Sequence, residues 1–276
     1  MGADGLPEGY SRSRVISMPL GHFQGRLHKK TINSEPVTRM HVDVASLKEF
    51  YATPLGQIAR RLLARRIRTH WGAATGDTVA ALGFGTPFLG AYRTEARQIC
   101  ALMPASQGAL IWPPSASILS TLVEEGSLPL RDNSVDRLLV VHCLEVAEQV
   151  KPLLRELWRV VKPEGRVLVV VPNRRGLWAH VDTTPFGHGR PYSRSQLDTL
   201  LQESLFTPVS WETALHLPPF DRAMLVRSAA AWERIGAKMS PRFGGILMVE
   251  ARKETMAPIS GKAVRAKALR EMVTIR

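Results

Sequence analysis

The chain has little cysteine, since Cys100 and Cys143 are the only two among its 276 residues. Both lie in apolar, strand-like runs, where a thiol behaves as a small apolar side chain. So few cysteines in such surroundings argue against a disulfide, and we expect both to be free and buried. The same scarcity predicts a reducing, cytoplasmic setting.

Long apolar runs are also absent. No window approaches the roughly 18 consecutive apolar residues of a membrane-spanning helix. The first residues, MGADGLPEGYSRSRVISMPLG, lack the basic-then-apolar order of a secretory signal. They also lack the serine or threonine that a myristoylation signal has at its sixth position. These absences predict a protein without a membrane span.

Acidic side chains are scarce, 24 Asp and Glu against 37 Lys and Arg, so the formal net charge is +13. The excess is +3 in residues 1–39, +5 in residues 55–71 and +5 in residues 252–276, whereas residues 72–251 have a net charge of +1. A basic surface attracts polyanions, so nucleic-acid binding through the basic helix and tail stays open. These segments lack interleaved aromatic residues that stack on bases, which favours solvated helix faces and a loose tail instead.

The chain divides into three parts. Residues 1–39 have no sustained hydrophobic period and are predicted to be a flexible basic extension. Better-patterned sequence begins at Met40, which we hypothesise to be the true start or an alternative one. Residues 40–251 are predicted to form the folded domain, and residues 252–276 a basic tail. Hydrophobic residues make up 45% of the chain, enough for the core of one large domain.

Apolar runs alternate with helical periods through the domain. Thr53-Pro54 predicts the start of an amphipathic helix, with threonine as cap and proline in the first turn. Further helices are predicted at 146–161, 193–206 (with Leu205 facing inward) and 221–238. The predicted strands are 78–85, 96–103, 117–123, 137–145, 166–172 and 244–253. This alternation predicts an α/β fold with a doubly wound, mostly parallel sheet.

One block is specific enough to indicate a family: LPLRDNSVDRLLVVHCLE, followed by LLRELWRVVKPEGRVLVVVPN. It resembles the class I S-adenosylmethionine (SAM)-dependent methyltransferases, in the branch that acts largely on small molecules and lipids. The resemblance covers about residues 75–251 and implies a Rossmann-like sheet of seven strands with an antiparallel last strand. Asp136 can tie down the chain entering a strand. Gly165 is available for a positive φ after the helix, and Glu164 stands where the family has a glycine.

The resemblance also implies where SAM binds, beyond the carboxyl ends of the strands at the topological switch point. The residues it implies for cofactor binding are Gly83, Phe84, Gly85, Glu124, Glu125, Leu128 and His142. Glu124 or Glu125 can reach the adenine amino group, or it is a solvated loop acid instead. Ala81 stands where the family has an acid at the methionine end of SAM, and the ribose-binding acid falls near Ala101. A charged hydrogen bond contributes about 1.5–3 kcal/mol. The loss of the ribose-binding acid is therefore expected to weaken SAM binding by about 10- to 100-fold.

His142 is the best-placed catalytic candidate, because an imidazole near the end of a strand can act as base or orient an acceptor. Alternatively, it caps the following helix or hydrogen-bonds to a carbonyl. The loop after the fifth strand is rich in polar and aromatic residues, and loops at this edge select substrates. Its candidates for an acceptor pocket are Asn173, Arg174, Trp178, His188 and Tyr192. Alternatively, Trp178 and Tyr192 pack the loop down. The loop has no cysteine or acidic residue at the spacing typical of metal ligands, so we expect no metal site there.

Three functions follow from these observations. The first is an active SAM-dependent methyltransferase acting on a small-molecule acceptor. The second is a catalytically silent methyltransferase fold that serves as a binding or regulatory partner, as the two alanines suggest. The third is an RNA-associated protein, suggested by the basic helix and tail.

Overall fold

The computed structural model describes residues 42–219, 228–239 and 241–254. The predicted N-terminal extension and nearly all of the predicted tail lie outside the described residues. So do residues 220–227, which contain the start of the helix predicted at 221–238. Among the described residues, no helix has both the length and the apolar character needed to cross a membrane.

The described part of the chain forms seven strands and six α-helices. The helices are α1 (Val44–Ala52), α2 (Pro54–Trp71), α3 (Thr86–Leu89), α4 (Val150–Val160), α5 (Arg194–Glu203) and α6 (Ala229–Met239). The strands are β1 (Thr78–Gly83), β2 (Gln98–Pro104), β3 (Ser120–Val123), β4 (Val135–Val141), β5 (Val161–Pro172), β6 (Phe206–Ala214) and β7 (Ile246–Lys253). Short 3-10 turns occupy Gly90–Tyr92, Leu177–His180, Pro185–Gly187 and Pro241–Phe243.

All seven strands form one sheet in the order β3-β2-β1-β4-β5-β7-β6. Strands β1 to β5 run parallel to one another, and β7 is antiparallel to both β5 and β6. This confirms the predicted α/β class and the mostly parallel, seven-stranded sheet with an antiparallel last strand. Strand β6 was not predicted, because it is an edge strand whose residues are mostly half-buried and form no strong apolar run.

Both faces of the sheet are covered, as the continuous apolar run of β1 requires. On one face, α1 and α2 contribute Leu47, Leu63 and Ile67 to a core that includes aromatic residues of α1 and α3. On the other face, α4 and α5 contribute their buried leucines. These two layers hold the carboxyl ends of the central strands in place.

Helix α2 begins as predicted, since the Thr53 hydroxyl accepts a hydrogen bond from the Gly56 N–H at 3.0 Å. Its outer face is less cationic than its sequence implies. Arg68 makes two 2.8 Å hydrogen bonds to the Glu95 carboxylate. Arg66 is paired with Glu212 and, at 3.4 Å, with Glu233. Part of the charge of this helix is therefore neutralised within the domain rather than offered to a polyanion.

Three local predictions were wrong. Helix α4 begins at Val150, because the carbonyls of Leu144 and Glu145 accept hydrogen bonds from the loop after β5 instead of from a helix. Leu205 follows the end of α5 with a φ of 60° and is exposed. The left-handed residue after α4 is Glu164, with a φ of 60°, and not the adjacent glycine.

Asp136 has the predicted role at the start of β4. Its carboxylate accepts hydrogen bonds from the Thr78 N–H at 2.8 Å and from Lys162 Nζ at 2.7 Å. Burial opposes ionisation, but the hydrogen bonds from Lys162 and Thr78 outweigh it and lower the pKa of Asp136. The carboxylate thus joins the starts of β1, β4 and β5.

The two cysteines are free thiols, as predicted. Cys143 is buried, and burial is the main reason why its pKa lies well above the usual value. Cys100 is half-buried and not buried as predicted, and desolvation raises its pKa to about 11. Both are therefore protonated and unreactive at neutral pH.

Candidate cofactor and acceptor site

The topological switch point lies between β1 and β4. Strand β1 pairs with β2 on one side and β4 on the other, so the chain winds away from it in opposite directions. Gly83 at the end of β1 is in register with Val141 at the end of β4. The Phe84 N–H donates to the Val141 carbonyl at 3.0 Å, which holds the loop after β1 against His142. Ligands of open α/β sheets bind at this position.

Both glycines of this loop are required by close contacts. Gly83 has a φ of 88°, and a Cβ there would lie 2.1 Å from the Val141 carbonyl oxygen. A Cβ on Gly85 would lie 2.2 Å from the Cβ of Ala81. The loop therefore folds back tightly over the ends of β1 and β4, and Phe84 is buried between the two glycines.

The two positions expected to lack acids are both buried. Ala81 and Ala101 are neighbours in register on β1 and β2. Strand β2 continues to Pro104, three residues beyond Ala101, so Ala101 lies within the strand and not at its end. The ribose-binding position of the resemblance is therefore corrected to the strand end. Residues 104–106 at that end are Pro, Ala and Ser, so a carboxylate is missing there as well.

The predicted adenine-side residues follow β3. Glu124 is exposed, and Glu125 is half-buried with its carboxylate 3.4 Å from the Ser106 hydroxyl, just past the end of β2. Leu128 is buried, and its N–H donates to Glu156 at 2.9 Å. Arg159 donates to the Leu128 carbonyl at 2.8 Å and so fixes the segment that follows the two glutamates.

Tyr51 of α1 covers the switch point. Its ring lies parallel to that of Phe84, with centroids 5.7 Å apart, and meets Phe88 edge-on at 6.0 Å. Its hydroxyl lies 2.8 Å from Nε2 of His142. Phe186, from the loop after β5, packs against the His142 ring with centroids 4.7 Å apart. A cluster of buried aromatic side chains therefore surrounds the imidazole.

His142 follows the last residue of β4 and has a φ of 52°, in the left-handed region. Its carbonyl accepts a hydrogen bond from the Gln107 side chain, which holds this backbone conformation. Its Nδ1 faces Oε1 of Glu145 at 3.5 Å. Both side chains are buried. Neither oxygen of the Glu145 carboxylate has a hydrogen-bond donor among the described residues.

The protonation of this array follows from its surroundings. Burial raises the pKa of Tyr51 well above 10, and the nearby charge of Glu145 raises it further. The phenol is therefore protonated and can donate to His142 Nε2. We assign the imidazole proton to Nδ1, where it faces the Glu145 carboxylate.

The predicted acceptor residues are distributed over the loop after β5. Asn173 is buried and donates to the carbonyls of Arg242 and Gly244 at 3.0 and 2.7 Å. Trp178 is fully buried and donates to the Leu217 carbonyl at 2.8 Å. Tyr192 donates to the Leu144 carbonyl at 3.1 Å. The polar atoms of these three side chains thus hold the loop against the sheet.

Two open clefts flank this loop. One, of about 880 Å³, is lined by Asn173 together with Arg175, Arg194 and Trp211. The other, of about 740 Å³, is lined by Arg174 and Tyr192. Trp178 and His188 line neither cleft, so neither of these two clefts brings the five predicted residues together.

Sequence reasoning missed Tyr51, Gln107 and Glu145. Glu145 stands in the quoted HCLE sequence, so a signal for it was present. Tyr51 and Gln107 lie in segments outside the quoted block, and only the packing of those segments on β4 brings them to His142. Within the described ranges, no group of three or more His, Cys, Asp or Glu side chains could hold a metal ion.

The sheet order, the antiparallel last strand and the glycine loop at the switch point define the class I SAM-dependent methyltransferase fold. A family model described as a methyltransferase domain matches residues 103–169. In that segment and in its fold, the chain is similar to the class I SAM-dependent methyltransferases.

Three known proteins illustrate the similarity. Demethylmenaquinone methyltransferase of Corynebacterium efficiens is 27% identical over 143 residues, which cover 51% of this chain and only 62% of that protein. A SAM-dependent methyltransferase from Thermotoga maritima has a TM-score of 0.53 at 13% identity, covering 76% of this chain and 96% of that one. The cyclase SpnF has a TM-score of 0.51 at 22% identity, covering 73% and 83%. At these identities the solved structures show a common fold.

Proposed function

We propose that the protein is a SAM-dependent methyltransferase that acts on a small-molecule acceptor. The observation that supports this most directly is the Gly83-Phe84-Gly85 loop, which lies at the switch point of a class I sheet beside His142. A buried histidine with a left-handed backbone at the end of a central strand is typical of a functional position.

The residues at the switch point fit SAM in part. The backbone of the glycine loop and the side chains of Glu125 and Leu128 would hold it. Ala81 and the end of β2 provide no carboxylate. We expect the missing ribose-binding acid alone to weaken SAM binding by about 10- to 100-fold relative to a site that has it. When bound, SAM supplies an electrophilic methyl group on a sulfonium sulfur.

The chain itself contributes positioning and a path for a proton. His142 Nε2 is the atom that accepts the proton of an acceptor, because Nδ1 is directed at Glu145. Tyr51 and Phe186 pack against the imidazole, which is buried away from water. The resemblance to demethylmenaquinone methyltransferase supports an aromatic small molecule as acceptor, and the aromatic walls of the site agree with that class.

The test is calorimetric titration of the protein with SAM and with S-adenosylhomocysteine, with thermal melting alongside. A ligand at 100 times its dissociation constant stabilises the fold by about 2.7 kcal/mol. The variants Glu124→Gln and Glu125→Gln form a matched pair. We expect the Glu125 variant to weaken binding about tenfold and the exposed Glu124 variant to leave it unchanged. No binding of either ligand at millimolar concentration would contradict the proposed function.

A second candidate, a catalytically silent fold that acts as a binding partner, is favoured by one observation. Tyr51 and Phe84 fill the switch point. The two positions beside it where the family has acids, position 81 and the end of β2, have no carboxylate. This candidate requires that SAM does not bind to the wild-type protein or to variants that open the site. The same titrations, repeated on variants that open the site, therefore decide between the two functions.

A further inference from the structure

The slot occupied by Tyr51 is shaped for a flat phenol. Phe84 provides a parallel wall, with an interplanar angle of 13°, and Phe88 an edge-on wall. Such walls suit any aromatic ring of this size. At the end of the slot, His142 Nε2 accepts a hydrogen bond from the Tyr51 hydroxyl at 2.8 Å. The slot thus combines an aromatic surface with one buried proton acceptor.

A second observation, independent of Tyr51, comes from Glu145. Its carboxylate is buried and has no hydrogen-bond donor within the described part of the chain. A buried polar group without a hydrogen-bond partner costs free energy. The group that can offset this cost is His142, whose Nδ1 lies 3.5 Å away, and an imidazolium would do so best. The carboxylate is therefore placed to stabilise a proton gained by His142.

We propose that this slot is the acceptor site, that the acceptor is a hydroxyl-bearing aromatic ring, and that Glu145 is the positioning residue for His142. This inference rests on the proposed function and specifies its substrate class. In the absence of acceptor, Tyr51 occupies the place of the acceptor ring and makes its hydrogen bond. An acceptor enters by displacing Tyr51, which exchanges one phenol for another at His142.

The acceptor hydroxyl gives its proton to His142 Nε2, and the imidazolium is stabilised by Glu145. The acceptor oxygen forms a bond to the methyl carbon as the bond from that carbon to sulfur breaks. The products are an aryl methyl ether and S-adenosylhomocysteine, and the proton leaves His142 to solvent when the slot opens.

The first experiment uses the full-length Tyr51→Ala variant, with p-cresol as the probe and toluene as its matched control without a hydroxyl. Binding is measured by calorimetry with S-adenosylhomocysteine present. We expect p-cresol to bind about tenfold more tightly than toluene, because only p-cresol can donate to His142. With SAM, this variant is expected to form 4-methylanisole from p-cresol, detected by mass spectrometry. Equal binding of the two probes, or bound p-cresol and SAM without the ether, would overturn the proposal.

A second pair of variants preserves the packing of the slot. Tyr51→Phe keeps the ring and removes its competing hydroxyl, so the KM for p-cresol should fall about 3- to 10-fold. Glu145→Gln keeps the shape and removes the charge, so kcat should fall by about 10- to 100-fold with little change in KM. An unchanged KM in the first variant, or an unchanged kcat in the second, contradicts the proposal even if Tyr51→Ala does not fold.

Titration with S-adenosylhomocysteine separates this inference from the proposed function. If no variant binds it, the proposed function fails and the acceptor site fails with it. If the variants bind it but phenols are neither bound nor methylated, the proposed function stands and only the acceptor inference is wrong.

Discussion

Gly85 lies directly against Ala81, since a Cβ on the glycine would come within 2.2 Å of the alanine Cβ. The family resemblance implies an acid at position 81, whereas here a methyl group packs under the loop. The loop after β1 is therefore supported by an apolar contact and by its hydrogen bond to Val141. This contact is directly testable.

Gly85→Ala is expected to destabilise the fold by about 1–3 kcal/mol, because the added Cβ cannot be accommodated without a backbone shift. Gly90→Ala is the matched control, since Gly90 is helical and a Cβ there meets no atom within 4 Å. It should stabilise by about 0.4–1 kcal/mol. Urea unfolding of both variants measures the difference, and equal stabilities would contradict the tight contact.

The turn after α4 provides a second pair. Glu164 is exposed and has a φ of 60°, so Glu164→Gly should relieve strain and stabilise by about 0.5–1 kcal/mol. At Gly165, a Cβ would lie 2.7 Å from Val161 Cγ1 and 2.8 Å from the Lys162 carbonyl oxygen. Gly165→Ala should therefore destabilise by about 1–3 kcal/mol. Thermal melting tests both variants. A stabilising effect of Gly165→Ala would contradict the close contacts described for this turn.

Acid unfolding should depend on Asp136. Its pKa is lower in the folded state than the ordinary value of 3.8, so its ionised form stabilises the fold above that pH. This contribution is lost as the pH falls through the folded-state pKa. The stability difference between wild type and Asp136→Asn should thus be largest near neutral pH and shrink towards pH 3. Urea unfolding across this range, with the exposed Asp182→Asn as control, measures it. A pH-independent difference would contradict the assignment.

SAM affinity should respond to an acid at the end of β2 and not within the strand. Ala105→Asp places a carboxylate at an exposed position just past Pro104, and we expect about tenfold tighter binding of SAM. Ala101→Asp places it inside the buried sheet beside Ala81, which should cost several kcal/mol of stability. Calorimetry of the first variant and melting of the second test this correction. Tighter SAM binding by a well-folded Ala101→Asp variant would support the original placement of the ribose-binding acid at position 101.

The sequence by itself determined most of the sheet and the glycine loop at the switch point. Central parallel strands are buried on both faces, so they read as apolar runs such as those of β1 and β5. The glycines of the loop and the turn around Asp136 are local signals, because the backbone there tolerates few residue types. Strand β6 was not predicted, because this edge strand is mostly half-buried and has no continuous apolar run.

Only the tertiary structure decided what surrounds His142. Tyr51 and His142 are separated by 91 residues, and nothing local to either residue indicates their hydrogen bond. The same holds for Gln107, which reaches the His142 carbonyl from the segment after β2. The sequence also could not show that the polar side-chain atoms of Asn173, Trp178 and Tyr192 form hydrogen bonds to backbone carbonyls. Side-chain partners of this kind depend on how distant segments pack. Hydrophobic periodicity indicates which residues are buried, but it does not indicate which residues they contact.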